Sequence, residues 1–595
     1  MAVHDGRSEG RGQNFYLIDQ DLRRRLQRLL SAEDYRRAEP LLMRMGELAG
    51  GPIDRQAEYT DRMARPVLET YDRQGNVVNE VRYNPLYEES VRQVYGLGTV
   101  GCSYGPQALP YAVHFALLYL LSESDPGLAC PVTLTASTAY VLARHGSPGQ
   151  IERYLPLLAV RQDGPFADGA TFVTEKQGGS DAGLATTEAR PLGSADAAQA
   201  AAYGARDREL VRLYGEKWFA SNADADLALV TARPPGAPEG TRGLGLYLMP
   251  RRLADGRPNA YRIRRLKDKL GTTGLATGEL ELDGAFAELV TPPGEGFKQM
   301  LEALEFSRIA NAAASAGIHR RAYLEAVLYA RERVAFGRPL SRQPMVQQTI
   351  VTMLAELTAA TALAFAAAQG LDAATGDPTP ENVAWHRLTT AIAKYRTGEV
   401  AVRNASRAIE VLGGNGYVEE YVTARLYREA QVLPVWEGPA NIQALELLRT
   451  LTPRWRAQDL LASRLARVAE SAAPAPQSRE LGQLLVRRAA DADEALRWVE
   501  THPEEAPVHA RRLLDLLSEV LEFALVLEDA VTDLGTGDER GVVLAWWLAR
   551  LHLAPSPRHG VGEDLAWLDG IYDALTAGEP VHGVRLPELG VEVWQ

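Results

Sequence analysis

One glutamate is placed where it could act as a proton-transferring group. Glu437 lies between the bulky Trp436 and Gly438, in the run Leu433–Ala440 (LPVWEGPA), which contains no cation. Apolar surroundings disfavour the charged form of a carboxylate and raise its pKa, which suits a general base. The alternative is a solvated glutamate in a loop, and the local sequence leaves that alternative open.

The segment Phe172–Asp181 (FVTEKQGGSD) carries groups that suit a ring-shaped or anionic ligand. Thr174 and Ser180 provide hydroxyls, and backbone amides are available around Gly178–Gly179. Such donors could bond a heteroaromatic edge or an anionic group. A glycine turn in a β-domain, closed by its serine and aspartate, is an equally good interpretation.

Two more segments add apolar surface and a point of close backbone approach. In Tyr214–Asn222 (YGEKWFASN), Phe219 is one of two adjacent aromatic residues and Ser221 adds a hydroxyl. Aromatic residues of a β-domain more often fill its core, which is the alternative here. In Glu410–Tyr417 (EVLGGNGY), Gly413–Gly414 can end a helix and admit a ligand phosphate close to the backbone.

The elements that must position these groups follow from the changing periodicity of the chain. Helical spacing dominates residues 1–165. Short alternating stretches such as Gly278–Asp283 (GELELD) follow, separated by Pro/Gly clusters, and helical spacing returns from Gly296 onward. We therefore predict an α+β, mainly α protein. Its predicted domains are an N-terminal helical domain (1–165), a small central β-domain (166–290), a helical domain that carries the candidate base (291–455) and an additional C-terminal helical domain (456–595).

Two connections have the composition of breaks between elements. Asp72–Asn76 (DRQGN) predicts a turn between a helix and the next extended stretch. Ser471–Ser478 (SAAPAPQS) predicts a linker ahead of the C-terminal domain.

Composition argues against several classes of protein. The 595 residues carry a net charge of −13, which disfavours a general nucleic-acid binder because phosphate contacts need clustered Lys and Arg. The only cysteines, Cys102 and Cys130, cannot build a disulfide framework, and the histidines lack ligand spacing, so we predict no metal site. Without a secretory signal or an apolar run of roughly 18 residues, we predict a cytoplasmic protein with no membrane span. Genome composition explains the six lysines as well as function does, and we give their scarcity no functional weight.

Two glycine patterns match known motifs without the required context. Gly96–Gly101 (GLGTVG) has the spacing of a dinucleotide fingerprint, but a charged, helix-like segment precedes it in place of a strand. Gly101–Gly105 (GCSYG) has the spacing of a nucleophilic serine elbow, yet Thr99–Val100 is too short for the strand it needs. We predict neither a dinucleotide site nor a nucleophilic Ser103.

Taken in order, these segments resemble the acyl-CoA dehydrogenase family of flavoenzymes, and within it the AidB-like subgroup. The resemblance covers roughly residues 12–450 and rests on several ordered motifs. They are TEKQGGSD, EKWF, RLKDKLG (Arg265–Gly271), EVLGGNGY, RLYRE (Arg425–Glu429) and WEG, together with NFYLIDQDLR (Asn14–Arg23) and YDRQGN (Tyr71–Asn76). The resemblance implies that residues 291–455 form a four-helix bundle. It also implies FAD bound between the β-domain and the C-terminal helices, completed by a second subunit of a homodimer or homotetramer.

The resemblance also implies a role for each matching residue. A strand that contacts the isoalloxazine ring is matched by Val173, Thr174 and Glu175. By the same resemblance, Phe219 is expected to pack on the flavin and Ser221 to reach flavin N5. The remaining matches are Ser180 at the FAD phosphate and CoA entrance, Arg333 and Phe336 reaching FAD across the dimer interface, Gly413 and Gly414 at the pyrophosphate, and Asn441 near the adenosine.

The chemistry implied is α,β-dehydrogenation of an acyl-CoA thioester. Glu437 aligns with the base that removes the α-proton while a hydride leaves the β-carbon for flavin N5, and electrons pass on to an electron-transfer flavoprotein. Trp436 and Gly438 border the implied substrate pocket, and the bulk of Trp436 favours a short or branched acyl group. Glu410 and Pro439 depart from the residues that many members have there, and either change could weaken flavin affinity.

Two alternatives remain at this point. One is a DNA-associated flavoprotein of the alkylation-stress response with weak dehydrogenase activity. DNA binding would need a basic C-terminal surface, whereas residues 451–595 are acidic, so we expect no DNA partner. The other is an acyl-CoA oxidase, which the motifs do not separate from a dehydrogenase.

Overall fold

The computed structural model describes residues 9–162, 164–193, 196, 200, 209–554 and 557–589. Its contacts divide the chain into two compact units. One unit consists of Ala38–Ala310, and the other of Met1–Arg37 together with Asn311–Gln595.

The first part of the chain is mainly helical, as predicted. Its helices are α1 (Phe15–Ile18), α2 (Gln20–Leu29), α3 (Ala32–Leu48), α4 (Asp54–Met63), α5 (Pro85–Gly96), α6 (Tyr111–Ser122), α7 (Pro126–His145) and α8 (Pro148–Leu158). A hairpin of β1 (Val67–Tyr71) and β2 (Val77–Arg82) lies between α4 and α5. The turn at 72–76 therefore joins two strands, not a helix and a strand. The Asp72 carboxylate closes it by accepting from the backbone amides of Gln74 and Asn76.

A sheet of seven strands forms the central part of the described chain, which confirms the predicted β-domain. The strands are β3 (Gly169–Phe172), β4 (Glu188–Pro191), β5 (Leu210–Ser221), β6 (Leu227–Ala232), β7 (Gly245–Pro250), β8 (Tyr261–Leu266) and β9 (Thr277–Thr291). Their order is β3-β6-β7-β9-β5-β4, with β8 also paired to β9. β3 and β6 are parallel, and the other pairs are antiparallel. Alternate residues such as Phe172, Leu213 and Leu280 fill the core, because side chains alternate across a strand.

The rest of the chain returns to helices, apart from a small hairpin of β10 (Val334–Ala335) and β11 (Arg338–Pro339). The helices are α9 (Gly296–Glu332), α10 (Pro344–Gly376), α11 (Pro380–Leu412), α12 (Gly414–Tyr417), α13 (Val422–Ala430), α14 (Ala440–Thr450), α15 (Ala457–Ala472), α16 (Pro476–Thr501), α17 (Ala506–Leu534), α18 (Arg540–Leu548) and α19 (Trp567–Ala577). The predicted mainly helical α+β fold is thus confirmed.

The predicted linker at 471–478 is wrong. Only three residues separate α15 from α16, and Ser478 is buried with its hydroxyl donating to the carbonyl of Ala472 at 2.8 Å. Farther along, α17 is tied to α11, because the Arg396 guanidinium donates twice to the buried Glu522 carboxylate, at 2.9 and 2.7 Å. The C-terminal helices pack on the preceding ones instead of following a free connection.

Two of the described helices, α7 and α10, are long and apolar enough to cross a membrane, contrary to the expectation that no apolar run is long enough. In each, 89% of the apolar window is buried inside the protein. That burial is typical of core helices, because a helix that is apolar all round needs protein contacts on every side.

Candidate active site

The predicted site residues are divided between the two units, which we call the sheet unit (Ala38–Ala310) and the helical unit (the remainder). In the sheet unit, the chain continues past β3 in extended form, and the backbone amide of Trp218 donates to the carbonyl of Thr174 at 2.8 Å. Val173 and Thr174 are half-buried along this extension. The hydrogen bond fixes the predicted flavin-contacting segment against β5.

Glu175 turns its side chain into the interior of the same unit, where it forms a fully buried ion pair. Its carboxylate accepts from the Lys217 ammonium at 2.8 Å, and both side chains have 0% exposure. Thr186 and Thr187 add backbone and hydroxyl donors. Burial alone would raise the pKa of Glu175, but Lys217 and these donors outweigh it and lower the pKa to about 2.

The Lys217 ammonium reaches beyond Glu175. It also donates to the carbonyl of Thr231 on β6 at 2.8 Å and to that of Val173 at 3.4 Å. The backbone amide and carbonyl of Glu175 bond Gly178. The side chain and backbone of Glu175 are therefore engaged within the protein, and its direct contact with a cofactor stays a prediction.

Phe219 and Ser221 lie at the end of β5, where its pairing with β9 is interrupted by a bulge between Lys217 and Ala220. Phe219 adopts a left-handed backbone (φ +55°) and leaves 60% of its surface exposed. Trp218, the neighbouring aromatic residue, lies under the Lys267 ammonium, 3.5 Å from the ring centroid. The same ammonium lies 4.8 Å from the centroid of the Phe219 ring. Phe219 is the more exposed of the two aromatic residues, and its left-handed strain is typical of a functional site.

The glycine turn after β3 exposes Ser180. Gly178 is too crowded for any side chain, since a Cβ there would meet the carbonyl oxygen of Asp181 at 2.5 Å. Gly179 and Ser180 are exposed on the outside of the turn. Both earlier interpretations of this segment are compatible with its geometry, because it is a closed turn whose hydroxyl is open to a ligand.

In the helical unit, Glu437 lies in the connection between α13 and α14. It is half-buried and has a left-handed backbone, with φ +58°. Gln443 donates from Nε2 to the carbonyls of Glu437 and Gly438, at 3.1 and 3.0 Å. The buried Lys394 ammonium on α11 donates to the carbonyls of Gly438 and Pro434, at 2.6 and 3.2 Å. Two buried side chains therefore hold the loop and fix the strained backbone of the candidate base.

Trp436 and Asn441 flank this loop. The Trp436 indole N–H donates to the side-chain oxygen of Asn311, whose amide group donates in turn to the carbonyl of Leu433 at 3.3 Å. Asn441 is exposed in the first turn of α14. Trp436 thus has a fixed orientation, whereas Asn441 faces outward.

Gly413 and Gly414 form an open stretch of backbone at the end of α11. Gly413 needs its left-handed φ of +63° to end the helix. The backbone of Gly414 does not have a positive φ, and a Cβ added there would meet no atom within 4 Å. Protein packing therefore does not require glycine at 414, whereas a ligand close to the backbone would.

Phe336 lies in the turn of the hairpin β10–β11, whereas Arg333 lies at its base, where its carbonyl accepts from the backbone amide of Leu340 at 2.8 Å. Phe336 is 97% exposed and left-handed, with φ +52°. Val334 on β10 is also exposed, at 56%, so the hairpin presents more than one apolar side chain for contact with another molecule.

Sequence reasoning missed the lysines that support these segments. Lys217 and Lys394 are fully buried and bond the backbone beside the predicted site residues, and Lys269 bonds the start of β9. Their rarity in a chain rich in arginine was the available signal. A compact ammonium fits such carbonyl clusters, whereas the broad, planar guanidinium does not.

The chain matches three family models over most of its length. They are the acyl-CoA dehydrogenase C-terminal domain over residues 294–452, the acyl-CoA dehydrogenase middle domain over 170–285, and the adaptive response protein AidB N-terminal domain over 8–164.

Individual proteins agree with these matches. The chain is 33% identical to acyl-CoA dehydrogenase family member 11 of Caenorhabditis elegans, over 74% of this chain and 71% of the relative. It is also 33% identical to the putative acyl-CoA dehydrogenase AidB of Escherichia coli K12, over 68% and 72%. A crystal structure of Caenorhabditis elegans ACDH-11 in complex with C11-CoA superposes with a TM-score of 0.82 at 28% identity, covering 94% of this chain and 95% of that one.

Proposed function

Because the chain belongs to the acyl-CoA dehydrogenase family, we propose that it oxidises the α,β carbon–carbon bond of an acyl-CoA thioester with Glu437 as the base. The main observation in support is the loop of Glu437, whose left-handed backbone is held by Lys394 and Gln443. Such a preorganised loop backbone suits proton abstraction, since a general base must be held within hydrogen-bonding reach of the proton it takes.

The family is FAD-dependent, and the residues present fit that cofactor. An exposed aromatic ring beside a hydroxyl suits a flavin ring, and glycine backbone with no packing constraint suits a phosphate. Bound FAD would supply the acceptor for the hydride. The residues proposed to contact FAD are Val173, Thr174, Ser180, Phe219 and Ser221 in the sheet unit, and Gly413, Gly414 and Asn441 in the helical unit. Arg333 and Phe336 are proposed to contact the FAD of a second copy.

The chain's own groups would perform the proton chemistry. The Glu437 carboxylate takes the proton α to the thioester carbonyl. Its backbone amide donates to the carbonyl oxygen and stabilises the negative charge that develops there. Lys394 and Gln443 bond the carbonyls on the far side of the loop and so keep the carboxyl and amide in register with one substrate position.

Replacing Glu437 tests this assignment. Purified wild-type protein should be yellow and should lose its colour anaerobically when an acyl-CoA substrate is added. Glu437→Gln should keep FAD but lose the bleaching, by at least about a thousandfold in rate, because the amide cannot accept the proton. Glu381→Gln on α11, an exposed glutamate, is the matched control and should bleach normally. Equal bleaching by Glu437→Gln and wild type would refute the base.

The acyl group and the electron acceptor follow as finer proposals. The fixed indole of Trp436 favours a short or branched acyl chain, whereas C11-CoA is the ligand of the Caenorhabditis elegans structure. A panel of straight and branched acyl-CoA thioesters with dye reduction separates the two. We propose an electron-transfer flavoprotein as acceptor, and hydrogen peroxide formed at the rate of substrate oxidation would instead identify an oxidase.

We also propose a homodimer or homotetramer in which Arg333 and Phe336 reach the cofactor of a second copy. The exposed ring of Phe336 supports this. Phe336→Ala should lower FAD retention in proportion to any loss of oligomer, measured by light scattering and flavin absorbance. Full FAD occupancy in a monomeric wild-type protein would contradict the proposal.

A further inference from the structure

A short chain of hydrogen bonds ends at Ser221. Ser221 and Thr277 are paired across β5 and β9, and their hydroxyl oxygens lie 3.4 Å apart. Lys269, in the connection between β8 and β9, donates from Nζ to the Thr277 hydroxyl at 2.9 Å and to the carbonyl of Leu275 at 2.7 Å. All of these residues belong to the sheet unit.

The ammonium gives this chain a direction. A protonated lysine has donors and no acceptor, so the Thr277 oxygen must accept from Lys269. Thr277 then has one proton left, which points to the oxygen of Ser221. Among the described residues, Thr277 is the hydrogen-bond partner of Ser221. Because the Ser221 oxygen accepts from Thr277, the hydroxyl proton of Ser221 is left for a group outside this series of hydrogen bonds.

We propose that Lys269, acting through Thr277, holds Ser221 as a hydrogen-bond donor toward a bound flavin and so favours flavin reduction. The inference rests on the proposed function and on the family resemblance, which implies that Ser221 reaches flavin N5. An unreduced ring nitrogen accepts a hydrogen bond, and a donor there draws electron density from the ring. Lys269 is a positioning residue, since it acts through two hydroxyls and not by contact with substrate.

The surroundings of Lys269 bring its pKa close to neutral pH while leaving it mainly protonated at pH 7. Burial lowers the pKa of Lys269 to about 8, against a smaller opposing effect of the Cys130 thiol on α7. Asp268 points to solvent, with 98% of its side chain exposed. Lys267 pairs with Glu279, and Asp61 on α4 accepts from Thr273. Above pH 8 a neutral amine can accept from Thr277, which would reverse the chain and withdraw the donor at Ser221.

The test measures the flavin and not turnover. Thr277→Val removes the relay without changing volume, Thr277→Ser restores the hydroxyl, and Lys269→Met removes the charge. Lys298→Met is the control, because the Lys298 side chain is 67% exposed. At a fixed ambient potential and pH 7, Thr277→Val and Lys269→Met should lower the ratio of reduced to oxidised FAD by about five- to tenfold, as for loss of one hydrogen bond. Thr277→Ser and Lys298→Met should match wild type.

A pH series adds a readout that a merely structural role would not change. The wild-type ratio should show an inflection near pH 8 that is absent from Thr277→Val and Lys269→Met. If Thr277→Val binds FAD and keeps the wild-type ratio and inflection, the inference is wrong while the proposed function stands. If wild-type protein binds no FAD, the proposed function itself is overturned.

Discussion

The buried pair of Lys217 and Glu175 offers the most quantitative prediction. Removing one partner leaves the other charge buried without its counter-ion, and the cheapest response is for that group to become neutral. Neutralising a carboxyl of ordinary pKa 4.5 at pH 7 costs about 3 kcal/mol. Neutralising an ammonium of ordinary pKa 10.5 costs about 5 kcal/mol.

The structure ranks the two single variants. In Lys217→Met, the Glu175 carboxylate keeps its donors from Thr186 and Thr187, so the loss of stability should be at most about 3 kcal/mol. In Glu175→Gln, the Lys217 ammonium keeps only carbonyl partners, and the loss should approach about 5 kcal/mol. The double variant leaves no buried charge and should be more stable than Glu175→Gln alone.

The two losses should depend on pH in opposite ways. In Lys217→Met the pKa of folded Glu175 rises above 4.5, so the penalty is absent below that pH and grows as pH rises. In Glu175→Gln the pKa of folded Lys217 falls further below 10.5, so the penalty shrinks as pH rises toward that value. Hydrogen exchange of peptides from Leu210–Ser221 at pH 6 and pH 9 measures both, after correction for intrinsic exchange. The reasoning would be refuted by losses of stability below about 1 kcal/mol, or if the loss changed with pH in the same direction in both variants.

Three further perturbations have definite expected results. Burial lowers the pKa of His114 to about 4, so between pH 6.5 and 4 the unfolded chain binds a proton that the folded chain does not. The sheet unit should therefore lose up to about 3 kcal/mol of stability as the pH falls through this range. Thermal unfolding of His114→Asn should not show that loss. Lys394→Met removes two donors from the loop of Glu437 and should slow anaerobic bleaching about 10- to 100-fold with FAD retained, whereas wild-type bleaching would show that the loop does not need it. Gly438 has φ +97°, and in Gly438→Ala the added Cβ would lie 2.9 Å from Nε2 of Gln443. Bleaching measured by stopped flow should slow by a similar 10- to 100-fold, and the unfolding temperature should fall by a few degrees.

The order of helices and strands could be predicted because it depends on local periodicity. The alternation of Gly278–Asp283 predicted what became part of β9, and the glycines of 413–414 predicted the end of α11. Local sequence signals gave the wrong prediction where the same residues suit two different local structures. The turn 72–76 suits a hairpin as well as a helix end, and Ser471–Ser478 is short enough to be a helical corner.

By itself, the sequence determined which segments we predict to carry the chemistry: the glutamate between Trp436 and Gly438, the hydroxyls at 174, 180 and 221, and the open glycines. Only the tertiary structure decided how they are supported. Lys217 meets Glu175 across 42 positions, and Ser221 meets Thr277 across 56. Such partners depend on strand register and on which charges are shielded from water. Both are properties of the assembled sheet, so no short stretch of the chain encodes them.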